Sequence, residues 1–207
     1  MEFIDTREVV KALVPKYANG RTLDIGGGTS KYREIIKKSV SDYLVADLYE
    51  TGVEVDFKED ARKMSFSEGS FDTVLSFQVL EHIDDTSATV GEMYRILKKG
   101  GHAIVTMPFL FPQHGDPSDY HRFTKEAARF YFERAGFTTI ELGSQGSTLS
   151  VISAMLRRMY LDHYTAGYSR LRSAFFTRIF GILKYFDRKG YFKHPDLYTN
   201  VYIVAKK

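Results

Sequence analysis

The sequence contains no cysteine among its 207 residues. This excludes a disulfide framework, a thiolate zinc site and a cysteine nucleophile, and it is compatible with a cytoplasmic location. The first residues contain no basic region followed by an apolar run, so no signal peptide is expected. No apolar run approaches the roughly 20 residues that a transmembrane helix needs. Hydrophobic residues make up 43% of the chain, enough for the core of a single domain over residues 1–207.

Two common nucleotide-binding motifs are also missing. A dinucleotide fingerprint would need a third glycine three residues after Gly28, where the chain has Lys31. A P-loop would need Gly-Lys followed by Ser or Thr, which the glycine-rich region lacks. The first absence opposes a nicotinamide- or flavin-dependent oxidoreductase. The histidines are scattered along the chain without a tight cluster of metal-ligand spacing, so no metal site is predicted.

What the chain does contain is a short β-prone run that leads into a glycine cluster at residues 22–30, Thr-Leu-Asp-Ile-Gly-Gly-Gly-Thr-Ser. This order predicts a strand, a tight turn and a helix over residues 31–38 with Ser30 as its N-cap. Glycines allow close approach of the backbone to a ligand, and a helix start offers free N–H groups. A plain tight turn is the alternative interpretation of three adjacent glycines.

Two acidic residues follow, and the interval to the first of them suits a bound nucleoside. Asp47 ends the predicted strand 43–46, about twenty positions after the glycines, where a carboxylate can accept both ribose hydroxyls. An ordinary acid at a strand end is the alternative. Asp60 and Ala61 follow a third predicted strand over residues 53–57, and a plain polar loop is the alternative there.

The run Asp24-Ile25-Gly26-Gly27-Gly28 resembles the first motif of the class I S-adenosylmethionine-dependent methyltransferases. A later segment, Leu80-Glu81-His82, directly follows the predicted fourth strand and resembles that of methyltransferases related to ubiquinone and small-molecule methylation. The order of these motifs is distinctive, and the resemblance covers roughly residues 20–143. It implies S-adenosyl-L-methionine as cofactor and S-adenosyl-L-homocysteine as product.

The resemblance also implies which residues hold this cofactor. Asp60 and the backbone of Ala61 would bind adenine, Asp47 the ribose, and Asp24 and Gln78 would lie beside the methionine part. His82 has either a site role or a role at a helix start. The expected cofactor-binding residues are Asp24, Gly26, Gly27, Gly28, Asp47, Leu48, Asp60, Ala61, Phe77, Gln78 and His82.

The fold that the resemblance implies is an α/β Rossmann-like, doubly wound sheet of seven strands in the order 3-2-1-4-5-7-6, with the last strand antiparallel. Amphipathic periodicity predicts helices over residues 5–17, 86–98 and 125–135. The fifth strand is predicted over 102–107, the sixth over 137–142 and the seventh over 198–205. About fifty residues separate the last two, which predicts a helical insertion over residues 148–195.

The loop after the fifth strand, residues 108–124, concentrates polar and aromatic side chains. It resembles a loop of little-characterised bacterial and archaeal methyltransferases often associated with glycan or lipid modification. His114 and His121 are candidate bases for a hydroxyl acceptor, and Asp119 can orient one of them. Tyr120 and Arg122 are candidate substrate-binding residues. Alternatively, Asp119 and Arg122 pair to pin the loop, and Thr124 caps the next helix.

Basic charge is concentrated in the insertion 148–195, where the net charge is +7 against −4 for the rest of the chain. Ten of the thirty Phe and Tyr residues also lie there. Three interpretations remain open: a helical cap over the substrate cleft, an interfacial helix pair at the inner face of the membrane, or a nucleic-acid surface. The missing Asn/Asp-Pro-Pro-Tyr/Phe motif after the fourth strand disfavours a base methylase of nucleic acids.

The sequence therefore predicts a methyltransferase that acts on a small-molecule, glycan or lipid-linked acceptor, with oxygen as the expected methylated atom. The competing hypothesis is a non-catalytic module that binds S-adenosylmethionine or S-adenosylhomocysteine and whose helical insertion contacts a partner or a membrane. The oligomeric state does not follow from the sequence.

Overall fold

A computed structural model describes residues 3–28, 31–49, 55–115, 117–163, 178–183, 185–187, 189–190 and 194–207, with the backbone alone described for 160–163. The predicted N-cap Ser30 and residues 164–177 of the insertion lie outside this part of the chain. The helices are α1 Thr6–Tyr17, α2 Arg33–Ile36, α3 Thr86–Ile96, α4 Lys125–Arg134 and α5 Thr148–His163, and a 3-10 helix covers Leu80–His82. The strands are β1 Arg21–Ile25, β2 Asp42–Asp47, β3 Phe57–Lys58, β4 Phe71–Phe77, β5 Leu97–Pro108, β6 Thr138–Gln145 and β7 Asn200–Lys206.

The seven strands form one sheet in the order β3-β2-β1-β4-β5-β7-β6. The five strands β3, β2, β1, β4 and β5 pair in parallel with their neighbours in the sheet. Strand β7 pairs antiparallel with both β5 and β6. The predicted sheet order and the antiparallel last strand are therefore confirmed. Since β1 to β5 all point the same way, their carboxyl ends meet at one edge of the sheet, where open α/β sheets bind ligands.

Hydrophobic side chains cover both faces of this sheet. Residues that alternate along β4 and β5 separate into two buried clusters, with Val74 and Val105 in one and Leu75 and Ile104 in the other. The first cluster is completed by α3 and α4, and the second by α1. This alternation is the expected consequence of side chains pointing to opposite faces of a strand.

Three helix starts are capped by side chains. Asp5 accepts from the Glu8 N–H at 3.1 Å, Asp85 from the Ala88 N–H at 2.9 Å, and Thr124 from the Ala127 N–H at 3.1 Å. The predicted cap at Thr124 is thus confirmed. It fixes the point where the long loop after β5 ends and α4 begins.

Several predicted boundaries are wrong. The third strand was expected over 53–57, of which residues 53–54 lie outside the described part of the chain. Among the described residues β3 is Phe57–Lys58, and the Asp56 side chain before it accepts the Val45 N–H at 2.8 Å. The predicted helix 86–98 ends at Ile96, since Leu97 pairs with Phe71 and begins β5. The helix expected over 31–38 is a single turn, α2.

The segment between β6 and β7 begins with α5 and also contains helical residues at 178–183 and 185–187. The predicted helical insertion over residues 148–195 falls partly outside the described part of the chain. Among the helices that the structure describes, none combines the length and the apolar character that crossing a bilayer requires.

Candidate active site

The glycine turn lies directly after β1 and supplies the first wall of the site. Gly26 and Gly28 have φ of +69° and +43°, a left-handed conformation that non-glycine residues rarely adopt. The Gly26 N–H donates to the Ala46 carbonyl at 2.8 Å, which ties the turn to β2. A Cβ on Gly27 would lie 2.8 Å from Val45 and 3.0 Å from Asp24, so this position is closed to larger residues. The turn that the sequence predicted is therefore a tightly packed one.

Asp24 lies beneath this turn rather than in open solvent. Its side chain is buried, and one carboxylate oxygen accepts the Tyr43 hydroxyl at 2.6 Å. This bond fixes the carboxylate close to the glycine backbone. The predicted place of Asp24 beside the methionine end of a cofactor stays a prediction.

Asp47 and Leu48 lie at the carboxyl end of β2, next to the glycine turn, because Ile25 and Ala46 are paired in the parallel register of β1 and β2. Asp47 is half-buried, and its Oδ1 accepts the Tyr49 N–H at 3.1 Å. Leu48 is exposed. The turn and the carboxylate are therefore neighbours, and the predicted contact of Asp47 with a ribose stays a prediction.

Asp60 follows β3 and forms an ion pair with Arg62. The Arg62 guanidinium lies 2.7 Å from Asp60 and 2.8 Å from Asp84, and the Arg62 N–H donates to Asp60 at 2.9 Å. The hydrogen bond from the Arg62 side chain holds the pKa of Asp60 below its usual range. Asp60 is therefore ionised, and Ala61 beside it is buried. Their predicted contact with adenine stays a prediction.

Gln78 occupies a strained position just beyond β4. Its φ is +60°, the only left-handed non-glycine conformation in the described part of the chain. Its N–H donates to the Thr106 carbonyl at 3.0 Å and its side-chain amide donates to the Thr106 hydroxyl at 3.1 Å, so β5 holds it in place. Phe77, beside it, packs edge-on against Tyr32 at 5.6 Å. Non-glycine strain of this kind costs about 1–3 kcal/mol and clusters at functional sites.

The loop after β5 is held together by the pair that the sequence analysis singled out. Two Arg122 nitrogens donate to the Asp119 carboxylate at 2.5 and 2.6 Å, and other Arg122 bonds reach the carbonyls of Phe111, Pro112 and His121 at 2.7 to 3.1 Å. The Asp119 side chain is 1% exposed, and the hydrogen bond from Arg122 lowers its pKa to about 2. The loop-pinning alternative is therefore confirmed. A substrate role for Arg122 and for the exposed Tyr120 stays a prediction.

Asp119 also holds one of the two candidate bases. The His114 N–H donates to Asp119 at 2.8 Å, and His114 Nδ1 lies 3.6 Å from the same carboxylate. His121 lies elsewhere: its Nε2 is 3.2 Å from the Asp84 carbonyl. The structure thus brings His114 and Asp119 together and directs His121 towards the start of α3.

His114 meets His82 and a buried glutamate from the segment after β4. The two imidazole rings pack edge-on at 5.3 Å, and the Nε2 atoms of His82 and His114 lie 3.8 and 4.0 Å from Glu81 Oε1. Glu81 is fully buried, and burial raises the pKa of its carboxyl to about 8. The N–H of the Glu81 backbone lowers this pKa, but its effect is smaller than that of burial. Neither carboxylate oxygen of Glu81 accepts a hydrogen bond from a described residue.

Sequence reasoning missed Glu81 as a site residue, although it forms the centre of the Leu-Glu-His motif. A glutamate that follows two apolar residues, Val79 and Leu80, shortly after a buried strand was the signal that could have identified it. The sequence also indicated no cluster of metal-ligating side chains. Glu81, His82 and His114 come together only because the loops after β4 and β5 fold over the same edge of the sheet.

Residues 23–105 match the model of a family described as a methyltransferase domain. One relative, the ubiquinone biosynthesis O-methyltransferase of Xanthomonas euvesicatoria pv. vesicatoria, is 29% identical over 115 residues, covering 49% of this chain and 45% of that protein. The chain thus matches less than half of this relative's length.

Solved structures share the fold across nearly the whole chain. Phosphoethanolamine N-methyltransferase 2 of Haemonchus contortus, in complex with S-adenosyl-L-methionine, superposes with a TM-score of 0.61 and 22% identity, over 97% of this chain and 52% of that one. The [4+2]-cyclase SpnF superposes with a TM-score of 0.63 and 18% identity, over 97% of this chain and 80% of that one. At these identities the likeness establishes the fold.

The family match spans β1 to β5, which carry the glycine turn, Asp47 and the Leu-Glu-His segment. The sheet order that the sequence predicted is also observed in full. The chain therefore has the fold of the class I S-adenosylmethionine-dependent methyltransferases, and its residues 23–105 match a methyltransferase domain.

Proposed function

We propose that this protein transfers the methyl group of S-adenosylmethionine to an oxygen of a small-molecule, glycan or lipid-linked acceptor. The observation that supports the proposal is that His114, in the loop after β5, packs against His82 in the segment after β4. These loops follow parallel strands, so the candidate base lies at the same edge of the sheet as the glycine turn and Asp47. The relatives' acceptors differ, so the choice of oxygen rests on the base.

Methyl transfer needs little chemical activation because the sulfonium is already a good leaving group. The acceptor oxygen attacks the methyl carbon, the carbon–sulfur bond breaks, and S-adenosylhomocysteine leaves as a neutral thioether. The protein has to align the two reactants and remove one proton from a hydroxyl acceptor. The bound cofactor supplies the methyl group, and the chain's own residues supply the alignment and the base.

His114 is suited to take that proton. Its Nδ1 lies 3.2 Å from the Pro112 carbonyl and 3.6 Å from Asp119. A neutral ring in this setting carries its proton on Nδ1 and keeps a lone pair on Nε2. The Asp119 carboxylate, kept ionised by Arg122, stabilises the imidazolium that forms when Nε2 accepts a proton.

The test compares three histidine variants in a transfer assay with labelled cofactor and fractionated acceptors. We expect His114→Ala to lower turnover by about 10²–10⁴ while the affinity for S-adenosylhomocysteine is unchanged. His194→Ala is the control, since His194 is exposed and lies near Asp196. His121→Ala measures the second predicted base. Full turnover in His114→Ala would remove the base assignment.

The competing hypothesis of a non-catalytic cofactor-binding module has one supporting observation. A protein with this fold, SpnF, is a cyclase by its description, so the fold does not by itself imply methyl transfer. Tight binding of S-adenosylhomocysteine together with no labelled product from any acceptor fraction would favour that hypothesis.

A further inference from the structure

The Glu81 carboxylate is buried in an environment that folded proteins usually avoid. It is fully buried, and no described residue forms a hydrogen bond with either of its oxygens. An unpaired buried carboxylate is strongly destabilised unless it is protonated, paired with a cation or bound to a metal. Two imidazoles lie within 4.0 Å of it, whereas the Arg122 guanidinium acts on it from a greater distance.

The hydrogen bonds of the two histidines determine which of their nitrogens face Glu81. His82 Nδ1 lies 2.5 Å from the Ser118 carbonyl, and His114 Nδ1 lies 3.2 Å from the Pro112 carbonyl. A carbonyl only accepts, so each neutral ring donates from Nδ1 and presents the lone pair of Nε2. Both of these lone pairs lie beside Glu81, so when Glu81 is ionised three electron-pair donors meet without a hydrogen-bond donor among them.

Such a set is what a metal ion requires. Imidazole nitrogens with the opposite ring nitrogen bound to a carbonyl, together with one carboxylate, form the nitrogen and oxygen donor set of divalent first-row metals. The candidate ligand atoms of Glu81, His82 and His114 all lie within 4.8 Å of one another. Ligands around Zn²⁺ at its usual bond lengths are about 3.4 Å apart, so the two Glu81–histidine distances of 3.8 and 4.0 Å exceed that spacing by about half an ångström and binding requires the three side chains to draw together.

The surroundings add a supporting shell. Asp119 holds the His114 backbone and stands 3.6 Å from its Nδ1, and Arg122 neutralises Asp119. The group as a whole has one negative charge when Glu81 is ionised, which favours a divalent cation. The main chain is also fixed, because the Tyr120 N–H donates to the Glu81 carbonyl at 2.7 Å.

We propose that Glu81, His82 and His114 form a binding site for one divalent first-row transition-metal ion. Three protein ligands leave coordination positions open, as in catalytic rather than structural metal sites. With the ion bound, the Nε2 lone pair of His114 is a metal ligand and no longer a base. The ion then takes over that role, because an acceptor oxygen bound to it would lose its proton more readily. This last role rests on the proposed methyl transfer, whereas the binding of the ion does not.

The test titrates Zn²⁺ into the untagged, metal-free full chain in competition with a chromophoric chelator, without cofactor or acceptor. We expect one ion per chain, and affinity at least about 100-fold lower in Glu81→Gln and His114→Ala. His194→Ala should bind as the wild type does. Co²⁺ in place of zinc should give visible d–d absorption that Glu81→Gln removes. A wild type without stoichiometric zinc, or equal affinity in all variants, would overturn the proposal.

Binding of S-adenosylhomocysteine by the same variants shows that they are folded and separates the two proposals. If the wild type binds S-adenosylhomocysteine but no zinc, the proposed metal site is removed and the proposed methyl transfer is unaffected. If zinc binding disappears in the ligand variants, the metal site is supported. If the protein also transfers no methyl group to any acceptor, the proposed function is removed while the metal site remains.

Discussion

Gly26 and Val79 lie against each other across the ends of β1 and β4: a Cβ on Gly26 would be 2.5 Å from a Val79 methyl group. Gly26 also has a φ of +69°. Both facts forbid a side chain at the turn that approaches the predicted cofactor. The contact joins the two loops on which the candidate site depends.

Gly26→Ala should therefore destabilise the protein by about 1–3 kcal/mol and weaken S-adenosylhomocysteine binding. Gly91→Ala is the matched control. Gly91 lies within α3 with no other atom close to an added Cβ, and alanine there should stabilise the helix by about 0.5–1 kcal/mol. Urea unfolding and calorimetry measure both effects. Equal stability of the two variants would contradict the strained turn.

The predicted ribose contact is tested at Asp47. Loss of two hydrogen bonds to a charged group should lower the affinity for S-adenosylhomocysteine by about 100-fold or more in Asp47→Ala. Asp42→Ala is its control, since Asp42 begins the same strand at the opposite edge and pairs with Arg21 at 3.3 Å. Unchanged calorimetric affinity in Asp47→Ala would remove the assignment.

The ion pair between Glu92 and Arg95 should make stability depend on pH. Glu92 accepts from Arg95 at 2.7 Å and from the Met64 N–H at 2.8 Å, and the bond from Arg95 lowers the pKa of Glu92. Because the folded state has the lower pKa, the stabilisation is present above the usual glutamate pKa of 4.5 and is lost as the pH falls through the folded value.

We therefore expect Glu92→Gln to lower the free energy of unfolding by about 1–2 kcal/mol at pH 7, and by clearly less at acidic pH. Glu133→Gln, at an exposed carboxylate 4.0 Å from Arg129, should change it by less than about 0.5 kcal/mol. Urea titrations over a pH series measure both. A Glu92→Gln deficit that grows as the pH falls would contradict the stated sign.

The expectation that the insertion contacts a membrane surface stays a prediction, and α5 allows a sharper test. Its apolar residues Ile152, Met155 and Met159 are exposed, and Arg157 is close to them in sequence. Exposed apolar and basic side chains on one helix are typical of binding to anionic lipid.

Sedimentation with anionic vesicles should carry down the wild type at low salt and less of it at high salt. The double substitution Met155→Glu and Met159→Glu should abolish this, whereas Phe130→Glu, at an exposed position on α4, should not. No sedimentation of the wild type at low salt would leave a helical cap as the interpretation of the insertion.

Much of the fold follows from local patterns. The alternation along β4 and β5 and the apolar stripe of α1 are patterns of residues that are close together in the sequence. The glycine turn requires glycine because of its backbone angles. The errors occur where another part of the chain competes, as when Leu97 leaves the predicted helix to pair with Phe71. The site was predicted less completely, because the role of Glu81 depends on neighbours more than thirty positions away.

The sequence alone determined the glycine turn, the acid that ends β2 and the acid after β3, because each depends on residues close together in the chain, and the order of the strands followed from the resemblance of its motifs to a known family. Tertiary structure decided which histidine meets Asp119 and that Glu81, His82 and His114 converge. Separate loops reach the same place only after the parallel strands beneath them have paired and the burial of both sheet faces has fixed their register.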